Sequence, residues 1–108
     1  MIFINIAKDY SKMPGGRFAK EGPYTGEDFR KSILKPKYQE AKKKNKQLTV
    51  ILDGGYGYAT SFLEEAFGGL ARELGDSNIL NIRIISDEEP ALVAKIEGYI
   101  RDALRTRG

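Results

Sequence analysis

An α/β fold, with a mainly parallel or mixed sheet under helical cover, follows from three features of this 108-residue chain. Apolar, β-branched runs recur at 2–6, 48–52 and 79–85. Stretches with apolar residues at three- and four-residue spacing lie between and after them. The sharpest transition is LTVILDGGYGYATSFLEEAFGGLAREL over 48–74, which reads as a strand, a glycine loop and a helix. The length fits one domain spanning 1–108, enough to bury a core of its own.

Ile2, Phe3, Ile4 and Ile6 alternate enough for a first strand, which ends before Lys8-Asp9. Pro14-Gly15-Gly16 and Gly22-Pro23 are turn signals, and Arg17-Phe18-Ala19 between them reads as a short second strand. Thr25 offers a hydroxyl cap to a helix whose first turn carries Glu27 and Asp28, complementing the helix dipole. Phe29 and Ile33 share a face. Pro36 should then interrupt the helix, and Tyr38 and Ala41 fall on a rotated face, as for a kink or a second short helix. Lys42-Lys43-Lys44-Asn45-Lys46 closes it, with cations at the negative end of the dipole and asparagine suited to the cap.

Leu48 begins a buried strand that ends at Asp53-Gly54-Gly55. Ser61 and Glu64 have capping-box spacing at the start of the next helix. Leu63, Ala66, Phe67, Leu70 and Leu74 form its apolar stripe. After a loop at 75–78, Ile79, Leu80, Ile82, Ile84 and Ile85 predict a third long strand interrupted by Arg83. Ser86 and Glu89 repeat the capping-box spacing, with Pro90 in the first turn. Leu92, Ile96, Tyr99, Ile100 and Ala103 define the last apolar face, opposite an i,i+4 pair of Glu97 and Arg101.

Composition narrows the chemistry. The 41% hydrophobic and 31% charged content is that of an ordinary globular protein, and no run approaches the roughly 18 apolar residues of a membrane span. No signal-peptide pattern opens the chain, so a cytoplasmic location is the expectation. Without cysteine there are no disulfides and no thiolate chemistry. Without histidine the usual base at neutral pH and the commonest transition-metal ligand are missing, so neither a metal nor another cofactor is expected. The net charge of +3 permits nucleic-acid binding without requiring it. The lysines at 42–46 lack interleaved aromatics, so a solvated helix end is expected there rather than a nucleic-acid partner.

The loop at 53–58 is the first place to look for function, because ligands of open α/β sheets meet the carboxyl ends of strands. Gly55 and Gly57 match only part of the dinucleotide fingerprint, and Thr60 stands where its third glycine belongs. A phosphate loop would need a Gly-Lys-Ser/Thr ending, which is absent. Asp53, Gly54, Gly55 and Gly57 are therefore read as shaping the turn. On the next helix Glu65, Gly68, Gly69 and Arg72 fall opposite the apolar stripe. Two helical glycines each cost about 1 kcal/mol against alanine, so they serve either close packing within the domain or a surface where a partner approaches.

PGGR at 14–17, YTGEDFRKSIL at 24–34 and ILDGGYGYATSFLEEAFGGL at 51–70 resemble bacterial STAS-like domains of unassigned function, across nearly the whole chain. The resemblance implies a mixed four-stranded sheet covered by three to four helices. In the related anti-sigma factor antagonists, a serine at the start of the corresponding helix is phosphorylated by a kinase that is also the binding partner. Ser61 matches that position and Thr60 the neighbouring hydroxyl, but Ala59 and Phe62 replace the flanking aspartate and glycine. The resemblance thus implies a non-enzymatic regulatory domain that binds a protein, such as a histidine-kinase-like ATPase, through the loop and helix start at 54–62. Tyr56, Tyr58, Phe62, Glu65, Gly68, Gly69 and Arg72 are its expected contact residues. Two other readings use the same region. One is a small-ligand or nucleotide site on the helix amides. The other is an enzyme built on Asp53, Arg17 and Glu64.

Overall fold

The computed structural model describes residues 2–107. Strand β1 (Ile2–Asn5) runs into a short helix α1 (Ile6–Asp9), capped by the Asn5 side chain accepting from the Lys8 amide. A long loop follows, containing a 3-10 turn at Ala19–Glu21. Helix α2 (Gly26–Phe29) continues through a π turn (Arg30–Leu34) into α3 (Lys35–Lys43). Strand β2 is Leu48–Ile51. The central helical run joins α4 (Thr60–Leu63), a second π turn (Glu64–Gly68) and α5 (Gly69–Leu74). A 3-10 segment (Ser77–Asn81), strand β3 (Arg83–Ile85) and helix α6 (Ala91–Arg107) complete the order.

The described residues form a three-stranded sheet, β1-β2-β3, with both neighbouring pairs parallel. This corrects the mixed four-stranded expectation. The segment around Arg17 forms no strand, because its backbone bonds to the approach and first turn of α2: Gly15 N–H donates to Tyr24 O, Gly26 to Gly16 O and Glu27 to Arg17 O. The third strand is shorter than its apolar run. Asp76 accepts from the Asn78 amide and starts the 3-10 turn over Ser77–Asn81, leaving Arg83–Ile85 for the sheet.

Pro36 does not break its helix. It lies in the first turn of α3, just after the π turn, where the wider i→i−5 bond from Lys35 N–H to Arg30 O relieves the pattern that a proline would interrupt. Two successive crossovers in the same direction across the sheet, with the usual hand, place their helices on one face. Burial agrees. Ile2, Ile4, Leu48 and Val50 join one core with Phe29, Phe62, Phe67, Leu70, Ile96 and Ile100. The central run lies between α2 and α3 on one flank and α6 on the other, above the sheet, and is therefore buried on three sides.

Candidate functional site

The three loops that follow the strands meet at the carboxyl end of the sheet. Tyr56 N–H donates to Lys12 O at 2.9 Å, joining the second loop to the first. Gly55 makes this possible: a Cβ there would sit 3.0 Å from Lys12 O. The second loop is also tied to the third. The Asp53 carboxylate accepts from the Asp87 and Glu88 amides at 3.0 and 2.9 Å, and Gly54 N–H donates to Glu88 Oε1 at 2.8 Å. Gly54 and Gly57 take φ of +95° and +124°, which side-chain-bearing residues rarely adopt. Tyr58 donates to Leu52 O at 2.8 Å. Its burial, then the nearby Asp53 and Glu88 charges, push its phenol up to about 12.

These contacts enclose an open cleft of about 220 Å³, lined by Leu52, Asp53, Tyr56, Tyr58, Ser86 and Glu88 among others. Its rim is acidic, which opposes a phosphate ligand. The Ser86 hydroxyl donates to Glu89 O at 2.7 Å rather than closing the expected capping box.

The helix start differs from expectation. Ala59, in an extended conformation, is the N-cap of α4, and no side chain caps it. Ser61 therefore lies inside the first turn and is not the cap. Thr60 is exposed and Ser61 half-buried. Glu64 does not reach back to a cap either; it accepts from Arg17 Nη1 at 2.5 Å and from Arg72 Nη1 at 2.6 Å. The Arg72 and Arg17 guanidiniums hold its carboxyl below the usual carboxylate range.

The expected contact residues separate into two groups. Tyr56 is 80% exposed, Tyr58 is half-buried and Arg72 is exposed at the surface. Phe62, Glu65, Gly68 and Gly69 are buried. A helical wheel with one apolar stripe places the last three in solvent, but the central run has neighbours on both flanks. Glu65 pairs with Arg30, itself 9% exposed, and also accepts from Arg17 Nη1 at 3.2 Å. Arg30 Nη1 additionally donates to Glu65 O at 3.0 Å, and Arg30 Nε lies 3.4 Å from Glu73 Oε1 without hydrogen-bond geometry. A Cβ on Gly69 would collide with the Arg30 guanidinium. One on Gly26 would lie 2.5 Å from Phe62 O. The glycines and charges of PGGR, TGEDFR and SFLEEAFGGL thus lock two helices and a loop together.

Local sequence signals missed other surface features. Met13, Phe18 and Tyr24 are 69%, 42% and 48% exposed on the first loop, where the sequence suggested turns and a short strand through Phe18. Tyr24 has φ +59° and stacks edge-on against Tyr10, ring centres 5.3 Å apart. At the opposite end of the sheet a cavity of about 340 Å³ is lined by Tyr38, Lys42, Asn45, Gln47, Asn78 and Asn81, among others. Lys42 is paired there with Asp76, which also accepts from Tyr38 Oη at 2.7 Å. Lys42, then Tyr38 and the Asn78 amide, lower the Asp76 carboxyl to about 2. The lysine-rich helix end is therefore partly neutralised. Among the described residues no group of His, Cys, Asp or Glu has the arrangement of a metal site, and no helix is long and apolar enough to cross a membrane.

A parallel sheet with helices packed on one face, and loops gathered at its carboxyl end, defines an α/β domain with a site of the open-sheet kind. The family model for the STAS-like domain of unknown function (DUF4325) matches residues 25–89, and the chain belongs to that family. No curated protein and no solved structure matches the chain.

Proposed function

We propose that this domain is a non-enzymatic regulatory module that binds another protein through the loops at the carboxyl end of its sheet. One observation carries the reading. Of the five exposed large hydrophobic residues among the described ones, Met13, Phe18, Tyr24 and Tyr56 lie on the first and second loops, and backbone bonds join the segments bearing Met13, Tyr24 and Tyr56. Exposed apolar and aromatic side chains gathered at one end of a domain are the usual material of an interface core. The loops are held by Asp53, Gly55 and Tyr58, so little order has to be gained on binding.

Family membership supports a regulatory role of this kind. The partner in this reading is a histidine-kinase-like ATPase or a related regulator. Thr60 and Ser61, four and five residues after Tyr56, are the positions where a phosphate would act on the interface. Added charge of about −1.5 to −2 at pH 7 would repel an acidic partner patch and recruit an arginine-rich one. The small-ligand reading gains less support, since acidic side chains line the cleft at these loops.

Affinity capture from the protein's own cells, followed by titration of the purified partner, tests this. Tyr56→Ala and Met13→Ser should each weaken binding severalfold and leave the urea midpoint unchanged. Unchanged affinity in both, or nucleotide in place of protein in the captured material, would count against the reading.

A further inference from the structure

The cleft at the carboxyl end of the sheet carries charge that its own lining does not balance. Asp53, Glu88 and Glu89 all line it, and no lysine or arginine does. Asp53 spends both oxygens on the Asp87 and Glu88 amides, and Glu88 Oε1 accepts from Gly54 N–H. Glu88 Oε2 and the Glu89 carboxylate make no hydrogen bond or ion pair among the described residues. Lys12, on the adjoining loop, pairs with none of them. Acids just before α6 suit the positive end of its dipole, which accounts for Glu88 and Glu89 but not for the ring that shares their cleft. Tyr56 is exposed, and its ring and hydroxyl have no partner among the described residues. Two buried leucines, Leu52 and Leu92, are also in the lining.

Size, charge and shape select the occupant. At about 220 Å³ the cleft falls below the roughly 300–1,000 Å³ of small-molecule sites and suits one long side chain. The carboxylates call for a cation. After burial, it is the Asp53 and Glu88 charges that push the Tyr58 phenol up, so their field reaches across the lining. An ammonium is a point charge that holds its water. A guanidinium is planar and weakly hydrated: its edge pairs with carboxylate oxygens, its face lies on an aromatic ring, and its methylene stem covers apolar surface. Glu88 and Glu89, Tyr56, and the two leucines supply these three surfaces in turn. We propose that the cleft is the socket for an arginine side chain of the protein that docks on these loops, its guanidinium on Glu88 and Glu89 and against the Tyr56 ring. The proposal rests on the loop interface argued above and names the partner's anchor. An anchor without a guanidinium would leave the carboxylates uncompensated once the partner excludes water, which makes the socket a source of specificity.

The first test needs no partner. N-acetylarginine methylamide is titrated into the isotopically labelled full chain and followed by amide chemical shifts. Shifts at residues 54–58 and 86–89 should saturate at millimolar concentration, and the lysine analogue should bind at least fivefold more weakly. Combining Glu88→Gln with Glu89→Gln should abolish them. An amide oxygen at position 88 still accepts from Gly54 N–H, and unchanged shifts elsewhere report that the variant is folded. Shifts that do not saturate, that are equal for the lysine analogue or that survive the double variant overturn the proposal. The second test uses the captured partner. The photo-crosslinker p-benzoylphenylalanine in place of Met13 marks its docking segment, and each arginine there is changed to lysine. One such change should weaken binding at least tenfold to wild type and have little further effect on the double variant. If Met13→Ser weakens binding and the double variant does not, the socket is wrong and the loop interface stands. If the double variant weakens it and Met13→Ser does not, the socket stands and the apolar interface is wrong.

Discussion

At Gly69 the central helical run approaches the Arg30 guanidinium so closely that a methyl group would overlap it. Arg30 cannot swing aside cheaply, because it holds the buried Glu65 carboxylate. Gly69→Ala is therefore expected to destabilise the fold. Overpacking of about 1–3 kcal/mol outweighs the gain of about 1 kcal/mol in helix propensity. Gly68 differs. Its Cβ would meet Glu64 Oε2 and Arg72 Nη1, the far ends of a half-buried and an exposed side chain that can shift together with their ion pair kept. Gly68→Ala should be neutral or stabilising by up to about 1 kcal/mol. Urea melts of the two variants check the pair, and opposite signs are the expected outcome. Glu65→Gln removes the carboxylate that Arg30 bonds directly and leaves only Glu73 Oε1, 3.4 Å from Arg30 Nε, to balance the buried guanidinium, so it should cost about 3 kcal/mol in the same assay.

Helix starts that look alike in sequence differ in the elements they begin. Thr25 Oγ1 accepts from the Asp28 amide at 3.1 Å, so Thr25→Ala should cost about 1 kcal/mol. Ser61 makes no cap bond, since Ala59 occupies the cap, and Ser61→Ala should change stability by less than about 0.5 kcal/mol. Thermal midpoints of the two alanine variants decide it. The two π turns matter at this scale as well. Arg30 opens one and Glu65 lies in the other, so the widened turns of neighbouring helices face each other across the ion pair.

Across the whole molecule, acid should unfold the protein through its paired carboxylates. Arg72 and Arg17 lower Glu64, Lys35 lowers Glu73, and Asp76 is brought to about 2. Each folded-state value lies below that of the unfolded chain, so between the two the unfolded state binds more protons. Stability from these pairs is complete above about pH 4.5 and is lost as pH falls through the folded values, for Asp76 near 2. The urea midpoint should fall steadily from pH 5 to pH 2. Asp76→Asn should lower the unfolding free energy at pH 7 by about 1 kcal/mol, with the difference from wild type disappearing near pH 2. A midpoint flat across this window would show that the pairs contribute nothing.

What the sequence determined by itself is local. The alternation of apolar runs with helical spacing placed β2 within a residue of its observed end. The Thr25 hydroxyl marked a real cap, and the positive-φ glycines marked the turn after Asp53, because each depends on neighbours only a few residues away. Partners distant along the chain escaped the reading. Glu65 pairs with Arg30 across 35 residues, and Tyr56 bonds Lys12 in another loop. Only the tertiary structure decided that Glu65, Gly68 and Gly69 are buried, since a helix with neighbours on three sides has no free back for a wheel to display. It also decided the strand count. The Gly15 amide and the Gly16 and Arg17 carbonyls found their partners at the approach to and first turn of α2, the Arg17 amide found the Glu21 carboxylate, and a backbone group so bonded is no longer available to a fourth strand.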